Sequence, residues 1–132
     1  MLHNSFLITS KNLPIKLNKQ QKAALTRLFK LLKPGQYVYP GVLIRELNVD
    51  MRVAYQILDL LKENGYLKEL YEVYCPYESK SIGKIYDNLL DLLGDDLEQD
   101  CPECGQTINI QKNNLLIYRI IQQVEIAYDE QI

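Results

Sequence analysis

The sequence predicts an α+β fold, with helices before residue 65 and a small antiparallel β module after it. In the first half, apolar residues recur every three or four positions, as they do on one face of a helix. In the second half, short runs of strand-forming residues lead into turns that contain Cys75 and Cys101. A chain of 132 residues can hold two small modules, of which the lesser usually needs a metal or a covalent cross-link.

The first predicted helix covers residues 18 to 33 and follows an N-terminal arm, residues 1 to 17, with an edge strand over residues 5 to 9. Asn18 can cap the helix, and Pro34-Gly35 ends it. At about 100° per residue, four lysines fall on one stripe away from the apolar face. This stripe, which we expect to face solvent or a partner, consists of Lys19, Lys22, Lys30 and Lys33.

Two further helices are predicted directly after the first. Pro40 suits the first turn of a short helix over residues 40 to 47, and Asp50 can cap a longer helix over residues 51 to 64. Gly65 supplies a left-handed stop, and residues 66 to 74 have the composition of a strand. A short helix, a tight turn and a longer capped helix make a helix-turn-helix.

With the first helix, this motif resembles the core of winged-helix proteins over residues 18 to 74. The resemblance implies binding to DNA or to protein, because the fold serves both purposes. A DNA reader needs several cations near the phosphates, but the outward residues of the last helix hold two cations and three acids. They are Asp50, Arg52, Tyr55, Gln56, Asp59, Lys62 and Glu63. Protein contact is therefore the favoured use. Arg52, Tyr55 and Gln56 are the candidate contacts on this helix, whether the partner is DNA or a protein.

The candidate metal ligands lie in two turns that are weak repeats of each other, residues 75 to 78 and residues 101 to 105. Each turn resembles a zinc knuckle, in which two cysteines three positions apart flank a tight turn. The second turn has both cysteines, whereas the first has Glu78 where a cysteine is expected. The predicted zinc ligands are therefore Cys75, Cys101, Cys104 and Glu78.

The fourth ligand and the role of the cysteines are open to alternatives. Asp100 and His3 are also able to complete a tetrahedron, because carboxylate and imidazole both bind zinc. A degenerate ribbon without metal would keep its cysteines reduced and packed in the protein. A redox pair at Cys101 and Cys104 is the third interpretation, although the strand and helix context of disulfide oxidoreductases is missing.

The rest of the second module is predicted to consist of short elements. We expect a strand over residues 81 to 86, a helical turn over residues 88 to 93 closed by Gly94, and an acidic loop over residues 95 to 98. Residues 107 to 110 and 115 to 121 are predicted to pair as a hairpin. The zinc-ribbon-like, antiparallel module would thus cover residues 75 to 121, followed by a C-terminal tail over residues 122 to 132.

Charge is divided unevenly along the chain, although the net charge is −2. Residues 1 to 49 contain eight basic residues and one acidic residue, whereas the remaining 83 residues contain seven basic and 16 acidic residues. This polarity suits a basic face for a polyanion, or a charge match between the two halves within one molecule or between copies. Two ordinary solvated faces are the alternative.

A winged helix followed by a ribbon resembles the alpha subunit of the general transcription factor IIE and its archaeal counterpart, and also small accessory proteins of bacterial defence operons. The likeness covers most of residues 18 to 121 and implies a non-catalytic protein that docks larger machinery. The chain shows neither a phosphate-binding glycine loop nor a nucleophile with a histidine base, so we expect no enzyme.

The expected function is that of an adaptor or accessory subunit in a multi-protein assembly, with a bacterial defence system as one setting. The alternative is a DNA-binding transcriptional regulator that uses the winged helix. No apolar run approaches the roughly 20 residues of a membrane span, and the start of the chain does not have the layout of a signal peptide. We therefore expect a soluble, cytoplasmic protein that binds a protein partner and is able to form homo-oligomers through its charge asymmetry or its edge strands.

Overall fold

A computed structural model describes residues 6 to 8 and 16 to 128, and within them the chain is a mixed α+β protein, as predicted. His3 lies outside the described residues. The helices and strands follow in the order β1 (Phe6–Ile8), α1 (Lys19–Leu31), β2 (Tyr37–Val38), α2 (Pro40–Leu47), α3 (Met51–Glu63), β3 (Leu67–Cys75), β4 (Lys80–Tyr86), α4 (Leu89–Gly94), β5 (Glu98–Asp100), β6 (Thr107–Asn109), β7 (Asn114–Ile120) and β8 (Ile126–Tyr128).

Helix α1 begins with a reciprocal cap. The Asn18 side chain accepts a hydrogen bond from the Gln21 amide at 2.8 Å, and the Gln21 side chain accepts one from the Asn18 amide at 2.9 Å. This capping box satisfies two amides that the helix itself leaves without partners. The predicted helix start at Asn18 is therefore confirmed.

Helices α2 and α3 are joined by a turn in which Asn48 adopts a left-handed conformation with φ of 55°. Asp50 caps α3 by accepting a hydrogen bond from the Val53 amide at 2.9 Å. Helix α2 lies against both α1 and α3. The side chains buried on these helices are apolar, as the helical periodicity predicts: Leu25, Phe29, Leu43, Leu47, Ala54, Ile57, Leu58 and Leu61.

The strands form one four-stranded sheet in the order β2-β7-β3-β4 and two smaller pairs. Strand β3 pairs with β4 in antiparallel fashion from Tyr71 opposite Tyr86 to Cys75 opposite Lys80, with a bulge between Glu72 and Tyr74. Strands β5 and β6 are antiparallel, and β1 runs parallel to β8. The edge strand expected in the N-terminal arm is thus present as β1.

The predicted hairpin between residues 107 to 110 and 115 to 121 is wrong. Strand β6 pairs with β5, and β7 joins the four-stranded sheet. The connection is wider than a hairpin turn because the Asn109 side chain accepts hydrogen bonds from the Gln111 and Lys112 amides, and the Asn113 amide donates to the Asn109 carbonyl. Asparagine side chains that bond the backbone in this way form their own turns and release the two strands to other partners.

The chain divides into two compact units. One comprises the described residues up to Lys68 together with those from Tyr118 onward, and the other is Glu69–Ile117. Both divisions fall within strands, and the boundary expected after residue 74 also lies within β3. The core of the second unit consists of Val73, Cys75, Tyr86, Leu92, Cys101, Ile108 and Ile110. In the part of the chain that is described, none of the helices has the length and apolar character that crossing a membrane requires.

Replacement of Asn18 by alanine should lower the free energy of unfolding by about 1 kcal/mol, because it removes the side-chain half of the capping box. Urea unfolding at equilibrium measures this change. Gln20→Ala is the matched control in the first turn of the same helix, since Gln20 is exposed and makes no cap, and it should stay within about 0.5 kcal/mol of the parent. An equal loss in both variants would contradict the importance of the cap.

Candidate metal centre

Two turns with the same backbone geometry build the site. The first follows β3 at Cys75 and the second follows β5 at Cys101. The Ser79 amide donates to the Cys75 carbonyl at 2.7 Å, and the Gly105 amide donates to the Cys101 carbonyl at 2.9 Å. Ser79 and Gly105 also share a left-handed conformation, with φ of 55° and 74°. The weak sequence repeat is therefore a repeat of structure.

Antiparallel pairing holds each turn in place. Cys75 lies opposite Lys80 in the β3–β4 pair, and the Cys101 amide donates to the Gln106 carbonyl at 2.9 Å beside the β5–β6 pair. Proline follows the cysteine in both turns and limits the backbone at that point. Each cysteine is thus held at the end of a paired strand.

In this repeat, Glu78 occupies the position that Cys104 has in the second turn. The three sulfur atoms and a carboxylate oxygen of Glu78 all lie within 4.8 Å of one another. The Cys75 and Cys104 sulfurs are 3.6 Å apart, and the Cys101 sulfur lies 3.9 Å from Oε1 of Glu78. The four predicted ligands are brought together, and all three cysteines are free thiols.

These distances fit a tetrahedral metal site. A thiolate–metal bond of about 2.3 Å implies sulfur–sulfur separations of about 3.8 Å in a regular tetrahedron. The sulfur–sulfur separation of 3.6 Å is close to that edge length. The sulfur–oxygen separation of 3.9 Å is slightly longer than the edge of about 3.6 Å that a metal–oxygen bond of about 2.1 Å implies. The donor set of three thiols and one carboxylate is therefore able to hold a single metal ion.

Burial divides the ligands into an inner and an outer pair. Cys75 and Cys101 lie in the core of the second unit, whereas Cys104 is exposed and Glu78 is half-buried. The inner sulfurs are shielded from water by apolar neighbours in the same cluster. A metal at this site would be reached from the side of Cys104 and Glu78.

Backbone amides and neighbouring thiols push the cysteine pKa values apart. The Cys104 and Glu103 amides donate to the Cys101 sulfur and lower the pKa of that thiol. The Gln106 amide also lowers the pKa of Cys104, but loss of hydration and the nearby Cys75, Cys101 and Glu78 outweigh it and raise the pKa to about 12. Adjacent anions repel each other. Full ionisation of the cluster therefore requires a cation.

Lys80 forms ion pairs with two carboxylates beside the cluster. Its ammonium lies 3.4 Å from Oε2 of Glu78 and also contacts Glu103. This pairing lowers the pKa of Glu103 and raises that of Lys80. One oxygen of Glu78 thus faces the thiols while the other faces Lys80. The role of Lys80 was not predicted, and its place two residues after Glu78 is the only signal in the sequence.

The other candidate for the fourth ligand among the described residues is engaged elsewhere. Oδ1 of Asp100 accepts a hydrogen bond from the Thr107 hydroxyl at 3.1 Å, and Asp100 is not part of the ligand cluster. Within residues 6 to 8 and 16 to 128, Glu78 is the carboxylate that completes the set.

The acidic stretch between α4 and β5 differs from the predicted loop. Glu98 belongs to β5, and Asp95 accepts a hydrogen bond from the Tyr86 hydroxyl at 2.5 Å and pairs with Lys84 at 2.9 Å. These contacts lower the pKa of Asp95 well below its usual range. The side chain of Gln99 closes the network by accepting from Lys84 at 2.9 Å. The sequence does not predict this network because its members are separated along the chain: they lie on β4, on β5 and in the segment before β5.

The predicted partner-binding residues differ in exposure. Lys19, Lys30 and Lys33 of the stripe are exposed, whereas the Lys22 ammonium lies 5.4 Å from the centre of the Tyr128 ring. On α3, Arg52 is exposed but Tyr55 and Gln56 are half-buried, and Oε1 of Gln56 is buried without a hydrogen-bond partner. The exposed part of α3 is therefore smaller than its helical periodicity predicts.

Comparisons of the chain with protein-family models, with curated proteins and with solved structures found no match.

Exchange of the residues at the two left-handed positions should test the equivalence of the turns. Ser79→Gly should raise the free energy of unfolding by about 1 kcal/mol, because a left-handed residue with a Cβ is strained. Gly105→Ser should lower it by about 1 kcal/mol, and backbone strain alone is responsible because a Cβ there meets nothing within 4 Å. Urea unfolding measures both, and changes of the same sign would contradict the equivalence.

Proposed function

We propose that the chain is a non-catalytic adaptor or accessory subunit of a multi-protein assembly, with a winged helix at residues 18 to 74 and a zinc-ribbon-like module at residues 75 to 121. The order of three helices, strands and paired cysteine turns supports this architecture. A bacterial defence system is one setting that the architecture suits.

The observation that carries the proposal is the surface of α3, the helix that would enter a DNA groove. Tyr55 and Gln56 are half-buried, and Oδ1 of Asp59 accepts a hydrogen bond from the Tyr118 hydroxyl at 2.8 Å. Of the candidate contacts on this helix, only Arg52 is exposed, and Asp50 and Glu63 are exposed on the same helix or at its cap. Phosphates would be repelled by this surface, whereas a protein partner would not.

Zinc is the metal that best suits the ligand cluster. Three thiolates favour a borderline-soft ion, and zinc accepts tetrahedral geometry without a preference of its own. Bound zinc would neutralise the thiolates and link the turn after β3 to the turn after β5. Such a cross-link is what a small β module with a limited apolar core requires.

The alternative function is a DNA-binding regulator, and the exposed lysines of α1 favour it. Lys19, Lys30 and Lys33 form no ion pair with an acidic side chain among the described contacts. Phosphate contacts by such lysines would be independent of sequence and sensitive to salt.

Zinc binding predicts about one zinc ion per chain in native mass spectrometry of the purified protein, in line with one four-ligand cluster. Cys101→Ser should abolish the retention of zinc, because it removes a buried ligand at the centre of the cluster. Gln111→Ser is the control, since Gln111 is exposed and outside the cluster. A protein without metal that also fails to take up added zinc would overturn this part of the proposal.

Glu78→Cys should raise zinc affinity at least about tenfold in competition with a chelator, because it gives the first turn its second cysteine and supplies a softer ligand. Glu98→Cys introduces a cysteine at an exposed site outside the cluster and should leave the affinity unchanged. Equal affinity of the parent and Glu78→Cys would exclude Glu78 as the fourth ligand.

The adaptor and the regulator are distinguished by anisotropy of a labelled DNA duplex at about 0.05 M salt, where phosphate contacts are strongest. We expect no shift at about 10 μM protein, within the range in which nonspecific binders respond. A shift that disappears in Lys30→Glu/Lys33→Glu would instead support the regulator.

A further inference from the structure

Helix α4 turns most of its leucines away from the core. Leu92 is 2% exposed and packs in the core of the second unit, whereas Leu90 is 80% exposed and Leu89 and Leu93 are each 48% exposed. Leu97, just beyond the helix, is 44% exposed. Single exposed leucines are common, but four within nine residues concentrate exposed apolar side chains in one short segment.

A helix cap, a buried leucine and an ion pair hold α4 and the segment after it in place. The Asn88 side chain caps α4 by accepting from the Asp91 amide at 2.9 Å, and Leu92 anchors the helix in the core. The segment that follows is fixed by the contacts of Asp95 with Tyr86 and Lys84. The leucines are therefore presented by a structured element, which lowers the entropy cost of binding.

Acidic residues are interspersed with the leucines along this segment of the sequence. Residues 85 to 111 contain seven acidic residues and no lysine, arginine or histidine. Lys84, the nearest cation before this segment, is paired with Asp95. Four of the carboxylates are exposed next to the leucines in sequence: Asp87, Asp91, Asp96 and Glu98. We call these four carboxylates and the four exposed leucines the acid-rimmed leucine surface.

We propose that the acid-rimmed leucine surface docks a basic amphipathic segment of a partner protein. The inference rests on the adaptor function and names the surface and the partner chemistry. The exposed leucines would pack against apolar side chains of the partner segment. The carboxylates would form ion pairs with its lysine or arginine side chains. Charge complementarity selects such a segment against acidic or neutral apolar ones.

A second copy of the chain is a poorer occupant. Its basic residues are concentrated on and around α1, but Leu31 is the exposed large apolar side chain among the described residues of that helix. Lys22 of the stripe is already stacked on Tyr128. One leucine cannot cover four, so the described part of α1 does not offer a second copy's leucines a matching apolar face.

The test is the binding of a labelled leucine–lysine peptide of about five helical turns to the full chain, measured by fluorescence anisotropy. We expect saturable binding that weakens as salt rises, and no binding of the same peptide with glutamate in place of lysine. Leu90→Gln/Leu93→Gln should weaken binding at least about tenfold. Asp87→Asn/Glu98→Gln should weaken it and reduce its salt dependence.

Leu115→Gln is the matched control, because Leu115 is 46% exposed on β7 in the same unit but lies outside the acid-rimmed leucine surface. It should bind the peptide like the parent, and all variants should keep the parent's unfolding midpoint since they alter exposed side chains. Equal binding by Leu90→Gln/Leu93→Gln, or binding of the glutamate peptide, would overturn the proposal. Self-association in sedimentation that these leucine substitutions abolish would assign the surface to a second copy. These outcomes leave the adaptor function standing, which fails only if the DNA measurement supports the regulator.

Discussion

The second unit is organised around the sulfur atoms of Cys75 and Cys101, which lie inside its small apolar core. Strand pairing places the two cysteines at equivalent positions of two equivalent turns, and Cys104 and Glu78 extend from those turns to the same point. Close thiols cannot all ionise together unless a positive charge offsets their repulsion. A metal ion bound to these four ligands would supply that charge and would also cross-link the two turns.

The first unit is stable by different means. Helices α1 and α3 begin at side-chain caps on Asn18 and Asp50, and none of the described residues buried in this unit is charged. Tyr118, which belongs to this unit, is fully buried and directs its hydroxyl to Asp59. That contact uses a carboxylate on α3 for structure. It thereby engages one acidic group of α3 and leaves Arg52 as the exposed cation of this helix, fewer cations than a DNA groove would need.

Local signals made the helices and the cysteine turns predictable. Caps, proline and glycine act within a few residues, so the start of α1, the bounds of α2 and the cap of α3 follow from short patterns. Strand partners depend on contacts far apart in sequence, which is why the pairing of β6 with β5 was missed. The burial of Gln56, the Tyr86–Asp95 hydrogen bond and the outward turn of the α4 leucines are likewise tertiary facts. A leucine run has the same composition whether it faces the core or solvent.

Glu78 takes in the first turn the place that Cys104 has in the second, and Lys80 pairs with it. A divalent ion with three thiolates and one carboxylate would carry a net charge of about −2, and a nearby cation reduces that charge. A thiolate at residue 78 would present one atom to the metal, whereas the carboxylate has a second oxygen, which lies 3.4 Å from the Lys80 ammonium. Lys80 also pairs with Glu103, which lies between the two cysteines of the second turn. A carboxylate as the fourth donor is therefore accompanied by an ion-pair link, through Lys80, between Glu78 of the first turn and Glu103 of the second.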